Sequence, residues 1–366
     1  MQARNIMEDI VIKYLDEMLA LRFDLCTCEI CRQDIIAYVL SRLPAKYITT
    51  DSGTIHAIMQ QLRLEQSSLI LKELAGAINI ISKQPHHEES HDRNQAYKLL
   101  MEQIKVDRGA DFSHYRDKVL KRRIALRMRS RNANTYSEYL QVLIHSPEEY
   151  EKLFEVLTIN VSSFFRDAVV WDHLKTQILP ELIARKKQQG VWPRKIRIWS
   201  AGCSHGEEPY SLAIMLYELL EKEKVEINVE IIATDIDKAC LAKGKAGRYD
   251  QMSVKDLNPY YLRRFFIPIN DEFQIVPHVK EFVHFKELNL IHDPGIMGVD
   301  MVICRNVFIY FNRSLQEYLI MKFHGALVRD GFFVMGSSEN LLGEARQVFE
   351  NVNRLFRIYK KIIVEY

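Results

Sequence analysis

The stretch IWSAGCSHGEEPYSLAI, Ile198–Ile214, decides the reading of the fold. An apolar run meets Gly202, a second glycine follows at Gly206, and a helical pattern then begins at Glu207. Strand, glycine turn and helix in that order mark the corner where α/β proteins hold nucleotide ligands. The spacing here is GxxxG, not the GxGxxG of dinucleotide binders. Glu207 and Glu208 stand at the helix start, where they would repel a pyrophosphate, so NAD and ATP are disfavoured. A ligand carrying a sulfonium or an ammonium would be held there instead. The competing reading is that the acids only complement the helix dipole, worth about 0.3–1 kcal/mol each. That accounts for one of them and leaves Glu207 as the candidate ligand-facing acid.

Working outward, residues after about 190 alternate between strand and helix. KIRIWSA and VEIIATDI read as strands, VDMVICRNVFIYF as a strand leading into a functional loop, and GFFVMGSSE and LFRIYKKIIV as late strands, while EEPYSLAIMLYELLEKE, DKACLAKGKAG and SLQEYLIMKFHGALV read as helices. The alternation predicts a doubly wound, mostly parallel sheet, with ligands at the carboxyl ends of its strands. Asp235 in ATDID ends the second strand, where an acid accepts hydrogen bonds from a ribose diol. Asp237 reads as a helix cap. Asn289 in KELNL and Asn306 in CRNVFIYF are amides at strand ends, suited either to turns or to the edge of a purine.

Upstream, the chain is helical. Ile6, Ile10, Tyr14 and Met18 are spaced by four, and Leu71, Leu74, Ile78 and Ile81 share a second face. KQPHHEESHDRNQ breaks the pattern and reads as a linker. Residues 108–131 hold nine Lys/Arg against two Asp, with Leu120, Ile124 and Met128 as the apolar stripe. Such a face is either a solvated surface or a dock for something acidic. Cys26, Cys28 and Cys31 form a CxCxxC group that would give zinc three ligands, with His86, His87 or His91 as a fourth. Buried thiols are the equal alternative. The other three cysteines are scattered, which fits a reducing compartment. With 48% hydrophobic residues, 27% charged residues and a formal charge of +2, the 366-residue chain has no global nucleic-acid signature. No run approaches the roughly 20 apolar residues of a membrane span, and the start is not a signal peptide, so a cytoplasmic protein is expected.

The ordered set TINVSSFFRD, IWSAGCSHGEEPYSLAI, IIATDID, KAGRYD, NL, VICRNVFIYF and GFFVMGSSENL resembles the CheR family of chemotaxis receptor glutamate methyltransferases, across roughly residues 97–360. The resemblance implies a Rossmann-like class I methyltransferase sheet with a small antiparallel β-insert, preceded by two mainly helical domains. It implies S-adenosylmethionine as cofactor and S-adenosylhomocysteine as product. Asn160, Ser162 and Arg166 would meet the methionine end, Glu207 its amino group and Asp235 the ribose. Gly202, Asn289, Leu290, Asn306 and Val307 would complete the cofactor site, and Arg166, Asn306 and Tyr310 would flank the transferred methyl group. Ser162 and His205 stand where the family has threonine. The acceptor would be a receptor glutamate, ionised at neutral pH with a reference pKa near about 4.3. It needs orientation rather than a general base, which is worth about 7–11 kcal/mol. No triad, metal-bound water or covalent intermediate is expected. Arg116, Lys118, Arg122, Arg123, Arg127 and Arg129 would face acidic receptor helices. The insert, FFIPINDEFQIVPHVKEFVHF, lacks the glycine-rich segment of tail-binding members.

FDLCTCEICRQDIIAYVLSRLPAKYITT resembles the ComFB late-competence family over roughly residues 1–83. That implies a small helical, dimerising domain tied in some relatives to cyclic dinucleotides, with Arg4, Asn5, Arg32 and Lys46 as phosphate contacts. The organisation expected is a ComFB-like domain at 1–85, a linker at 86–94, a helical domain at 95–185, and a methyltransferase domain at 186–366 with its insert near 265–285. A cofactor-binding adaptor without transfer and a nucleic-acid methyltransferase are the alternatives. The latter usually carries an Asn/Asp-Pro-Pro-aromatic motif, which CRNVFIYF is not. No stable nucleic-acid or membrane binding is expected.

Overall fold

A computed structural model describes residues 4–21, 29–48, 64–81, 89–108, 111–158, 162–190 and 192–362. The chain divides into two compact units, residues 1–113 with 117–157 and residues 114–116 with 158–366.

In the first unit a two-residue strand, β1 (Arg4–Asn5), leads into α1 (Ile6–Leu21), followed by α2 (Glu29–Leu40), β2 (Tyr47–Ile48) and α3 (Leu64–Ile81). Their shared core takes Met7, Val11, Leu15 and Leu19 from α1. Ile10, Tyr14 and Met18 are only partly buried, so the inward stripe lies one residue beyond the expected one. On α3, Leu74, Ile78 and Ile81 point inward, but Leu71 is 40% exposed and Ile70 takes its place. Both shifts have one cause: a four-residue spacing drifts around a 3.6-residue helix, so adjacent stripes compete until packing chooses. Cys31 is buried in this core. Cys26, Cys28, His86, His87 and the side chain of His91 lie outside what the structure describes, and among the described residues no cluster of three metal-ligating side chains occurs. Zinc therefore has no described site.

The rest of that unit is α4 (Glu89–Arg108), α5 (Asp117–Ser130), α6 (Tyr136–His145) and α7 (Pro147–Thr158). Leu120, Ile124 and Met128 are the buried stripe of α5, as their spacing predicts. The cations around them do different jobs. Glu149 is fully buried and takes Arg127 at 2.6 Å and Arg131 at 2.6 Å, with the Tyr139 hydroxyl at 2.8 Å. These donors outweigh burial and hold the carboxyl down at about 2. Arg123 donates to the Val156 carbonyl at 2.7 Å. Arg127, half-buried, thus braces this unit through Glu149, whereas Lys118, Arg122 and Arg129 are exposed.

The second unit opens with α8 (Ala168–His173), a π-helical turn (Leu174–Ile178) and α9 (Leu179–Gln188). Its sheet has seven strands in the order β11 (Phe349–Asn353), β12 (Ile358–Lys361), β10 (Leu327–Met335), β9 (Val299–Cys304), β3 (Lys195–Ala201), β4 (Asn228–Asp235) and β8 (Val283–Glu287). The five strands from β10 to β8 are parallel, and β11 and β12 form an antiparallel edge. All six residues of β9 are buried, the continuous run expected of a strand covered on both faces. Its one acid, Asp300, is neutralised by Lys186 at 2.6 Å. The intervening helices include α10 (Glu207–Glu223), α11 (Lys238–Ala246) and α15 (Arg313–Ala326); α12 (Gln251–Val254), α13 (Pro259–Phe265) and α14 (Pro277–Lys280) are short, as is α16 (Ala345–Val348). A three-stranded antiparallel insert pairs β7 (Glu272–Ile275) between β5 (Arg248–Asp250) and β6 (Phe266–Ile269). Residues 283–285, expected at the end of that insert, instead belong to β8 in the main sheet beside β4. No described helix is long and apolar enough to cross a membrane.

Candidate active site

The chain reverses direction across the sheet between β3 and β9, so a crevice opens at their carboxyl ends. Because β8, β4, β3 and β9 are parallel neighbours, one edge receives Asn289, Asp235, Gly202 and Asn306 in turn. The turn after β3 is pinned to the end of β4. The N–H groups of Gly202 and Cys203 donate to the Thr234 carbonyl at 2.8 and 2.9 Å. The Ser204 N–H donates to Asp235 Oδ2 at 2.8 Å. Gly202 has φ +77°, and a methyl group there would lie 2.6 Å from Val307 Cγ2, so the turn and the 306–307 loop meet backbone to side chain. Gly206, at φ +97°, is similarly closed in by Phe285 and Tyr249. His205 fits: its carbonyl accepts from Tyr249 at 2.8 Å, and burial together with Lys243 lowers its pKa.

The two neighbouring glutamates separate in role. Glu207 is 3% exposed, and its Oε2 is buried with no hydrogen-bond partner among the described residues. Burial raises its pKa, while its own backbone N–H, Lys243 and the Ser162 hydroxyl pull the other way. Glu208 turns into the protein, accepting from Ser200 at 2.9 Å and lying 4.0 Å from Arg305. Burial pushes Glu208 up to about 7, against the pull of Arg305. The helix-start pair is therefore one structural acid and one acid facing an unfilled need.

Asp235 also has a raised pKa, from burial, although the N–H groups of Asp237 and Ser204 hydrogen-bond to it. Asp237 caps α11 through the N–H groups of Ala239 and Cys240, as its position predicts. Arg166 sits in a loop whose flanking residues, Phe165 at φ +50° and Asp167 at φ +61°, are left-handed. Its carbonyl is held by Trp171 Nε1 at 2.7 Å and by Arg305 at 3.0 Å. The Phe165 N–H is fixed to Ser211 Oγ, which itself donates to the Glu207 carbonyl at 2.6 Å. Asn160 lies outside the described residues. The Asn289 side chain closes a turn by accepting from the Ile291 N–H at 2.9 Å, and the Leu290 carbonyl accepts from Lys322. Of the arginines expected to face a partner, Arg116 is exposed but donates through Nε to the Phe311 carbonyl at 3.0 Å.

Three side chains here escaped the sequence reading. Arg305, 2% exposed, spans Asp167 at 2.7 Å and Glu208. Glu339, 4% exposed, accepts from the N–H groups of Gly336, Phe308 and Asn306 at 2.6, 2.8 and 3.2 Å, so it shapes the loop in which Asn306 is left-handed. Tyr115 reaches that loop from far away in sequence. The only signal was a charged residue inside an apolar motif: the Arg of CRNV and the Glu of GSSEN.

The residues fit a positively charged nucleoside cofactor. An orphaned buried carboxylate oxygen and two glycine positions that a side chain would fill leave room and charge for one. Sheet order, switch-point crevice and acid corner together define a Rossmann-like methyltransferase class that uses S-adenosylmethionine.

Residues 160–356 match the CheR methyltransferase SAM-binding domain, and residues 95–158 match the CheR methyltransferase all-alpha domain. The chain belongs to the CheR methyltransferase family. It is 33% identical over 267 residues, 73% of this chain and 98% of the relative, to a chemotaxis protein methyltransferase of Listeria innocua. It is 32% identical over 257 residues, 68% of this chain and 94% of the relative, to a probable chemotaxis protein methyltransferase of Rhizobium etli. Residues 4–85 match the late competence development protein ComFB. A solved structure of ComFB from Bacillus subtilis aligns with 23% identity and a TM-score of 0.22, over 24% of this chain and 96% of that one.

Proposed function

We propose that this protein methylates glutamate side chains of chemotaxis receptors, yielding glutamate methyl esters and S-adenosylhomocysteine. The observation that carries the reading is the buried Glu207 Oε2 beside the glycine turn, without a hydrogen-bond partner among the described residues. When bound, S-adenosylmethionine supplies a methyl group on a positively charged sulfur. Glu207 would accept from its amino group, Asp235 from its ribose, and Arg166 would clamp its carboxylate in a two-point ion pair. Ser162, Gly202, Asn289, Leu290 and Val307 would line the same site, with Asn160 completing it. Asn306 and Tyr310 would flank the reacting centre and exclude water. The acceptor carboxylate is already a nucleophile at neutral pH, so these residues orient it and move no proton. The exposed Lys118, Arg122 and Arg129 favour an acidic receptor helix as partner; Arg116 and Arg123 would add charge at the margin of that surface. Incubation with labelled cofactor and receptor-bearing membranes tests the reading. Label released by mild base as methanol is expected; base-stable label, or label on nucleic acid, would refute it.

The front domain's likeness to ComFB supports a second proposal, that it binds a cyclic dinucleotide, forms dimers and adjusts methylation. Arg32 is held by Asp16 at 2.5 Å, so a phosphate there must displace that carboxylate. Asn5 spends its side-chain oxygen on the Met7 and Lys46 N–H groups, so any contact from it would come through its amide nitrogen. Arg4 and Lys46 complete the proposed phosphate contacts. Calorimetry of the full chain with cyclic di-GMP checks this: absence of heat, with unchanged methylation rate, would remove it.

A further inference from the structure

Residues His114–Arg116 lie in sequence within the helical part of the chain, yet they cluster with the sheet. They form a strap on the loop that follows β9. The Arg116 N–H donates to the Tyr310 carbonyl at 2.9 Å, and the Asn312 N–H donates to the His114 carbonyl at 2.8 Å. Arg116 Nε adds the Phe311 carbonyl at 3.0 Å, across 195 residues of sequence. Tyr115 pairs antiparallel with Phe311, and the two rings meet edge to face at 5.0 Å. The strap thus grips Tyr310–Asn312 on both sides of Tyr115, immediately beside the crevice.

The strap's contacts set where Tyr115 lies: its backbone pairs with Phe311, its ring packs edge to face on the Phe311 ring, and Tyr310 is the next residue along. Burial first, then the charge of Asp235 and the phenol of Tyr310, push the Tyr115 hydroxyl far above its usual range. The charge of Asp235, the last residue of β4, and the phenol of Tyr310 are thus felt at the Tyr115 hydroxyl. A single bridge is too short to be rigid by itself, and segments that open and close are drawn from such weakly held pieces.

We propose that His114–Arg116 is a strap closing over the nucleoside part of the bound cofactor, with the Tyr115 hydroxyl donating to a ribose oxygen opposite Asp235. The proposal rests on the cofactor reading of the crevice and adds a contact from outside the sheet domain's own motifs. Phe311 and the backbone bonds hold Tyr115 in place, and the ligand in turn holds the strap shut.

Two measurements on the full chain test it. Calorimetry with S-adenosylhomocysteine is expected to show binding to the wild type, weakened about five- to tenfold by Tyr115→Phe, as loss of one neutral hydrogen bond implies. The variant keeps the ring and its contact with Phe311. Hydrogen exchange on the wild type should show the Arg116 and Asn312 amides gaining protection when S-adenosylhomocysteine is added. If the wild type takes up no ligand, the cofactor reading falls and this proposal with it. If the wild type binds but Tyr115→Phe binds equally, or the two amides gain no protection, the strap proposal alone is overturned. Should the variant misfold, the wild-type exchange result decides.

Discussion

Replacing Glu207 by Gln separates binding from stability, because this carboxylate is buried with one oxygen unsatisfied among the described residues. Burial raises its pKa in the folded chain. A group whose folded pKa is raised favours the fold below its unfolded value and loses that contribution as pH climbs through the folded value. At pH 8 the ligand-free protein therefore carries a poorly solvated charge that Glu207→Gln removes. The variant should melt at or above the wild type at pH 8, with the gap closing as pH falls through the folded value. Binding moves the other way. A charge-assisted hydrogen bond to the ligand's amino group is worth about 1.5–3 kcal/mol, so affinity for S-adenosylhomocysteine should fall about 10- to 150-fold. 5′-Methylthioadenosine keeps the nucleoside but lacks the amino group, so its affinity should change little. Calorimetry with both ligands, beside a pH series of melts, decides the matter. Equal losses for the two ligands, or none for either, would refute the assignment of Glu207 to the amino group.

Other perturbations test the supporting network. Arg305→Met strips the cation from Asp167 and Glu208, and breaking a buried pair costs about 3–5 kcal/mol. Since Glu208 is already raised to about 7, its protonation at pH 5 should soften the loss, so denaturation at pH 5 and pH 8 should give a larger deficit at pH 8. Gly202→Ala forces a side chain into a left-handed conformation, about 1–2 kcal/mol, and against Val307 at 2.6 Å; chemical denaturation should show the loss and calorimetry a weaker nucleoside site. Glu149→Gln removes the carboxylate charge, and one of the two acceptor oxygens, that Arg127 and Arg131 share, an expected cost of about 3–5 kcal/mol at pH 7. Because Glu149 is held down at about 2, its contribution exists above the unfolded carboxylate range and vanishes as pH falls toward 2, where variant and wild type should converge by circular dichroism.

The Glu149 brace also marks the limit of what charge patterns reveal. Nine cations in 108–131 read as one surface, but Arg127 points at a buried acid 22 residues away and Arg123 at a backbone carbonyl 33 residues away. Neither partner announces itself, because long side chains reach acceptors that only folding brings near. The drift of the α1 stripe from Ile10 and Tyr14 to Val11 and Leu15 is milder: neighbouring faces are nearly equally apolar, and packing against α2 and α3 breaks the tie.

Local chemistry alone determined the parallel sheet, the glycine turn after β3, the Asp237 cap and the order of motifs along its carboxyl edge. Each depends on residues within a few positions of one another: unbroken apolar runs, a glycine where φ is positive, an acid before a helix. Tertiary structure decided which of two adjacent glutamates stays unsatisfied, that Arg305 clasps the loop of Arg166 from 139 residues away, and that Tyr115 lies beside Phe311. Side-chain partnership across such separations depends on how elements pack, and no spacing along the chain encodes it.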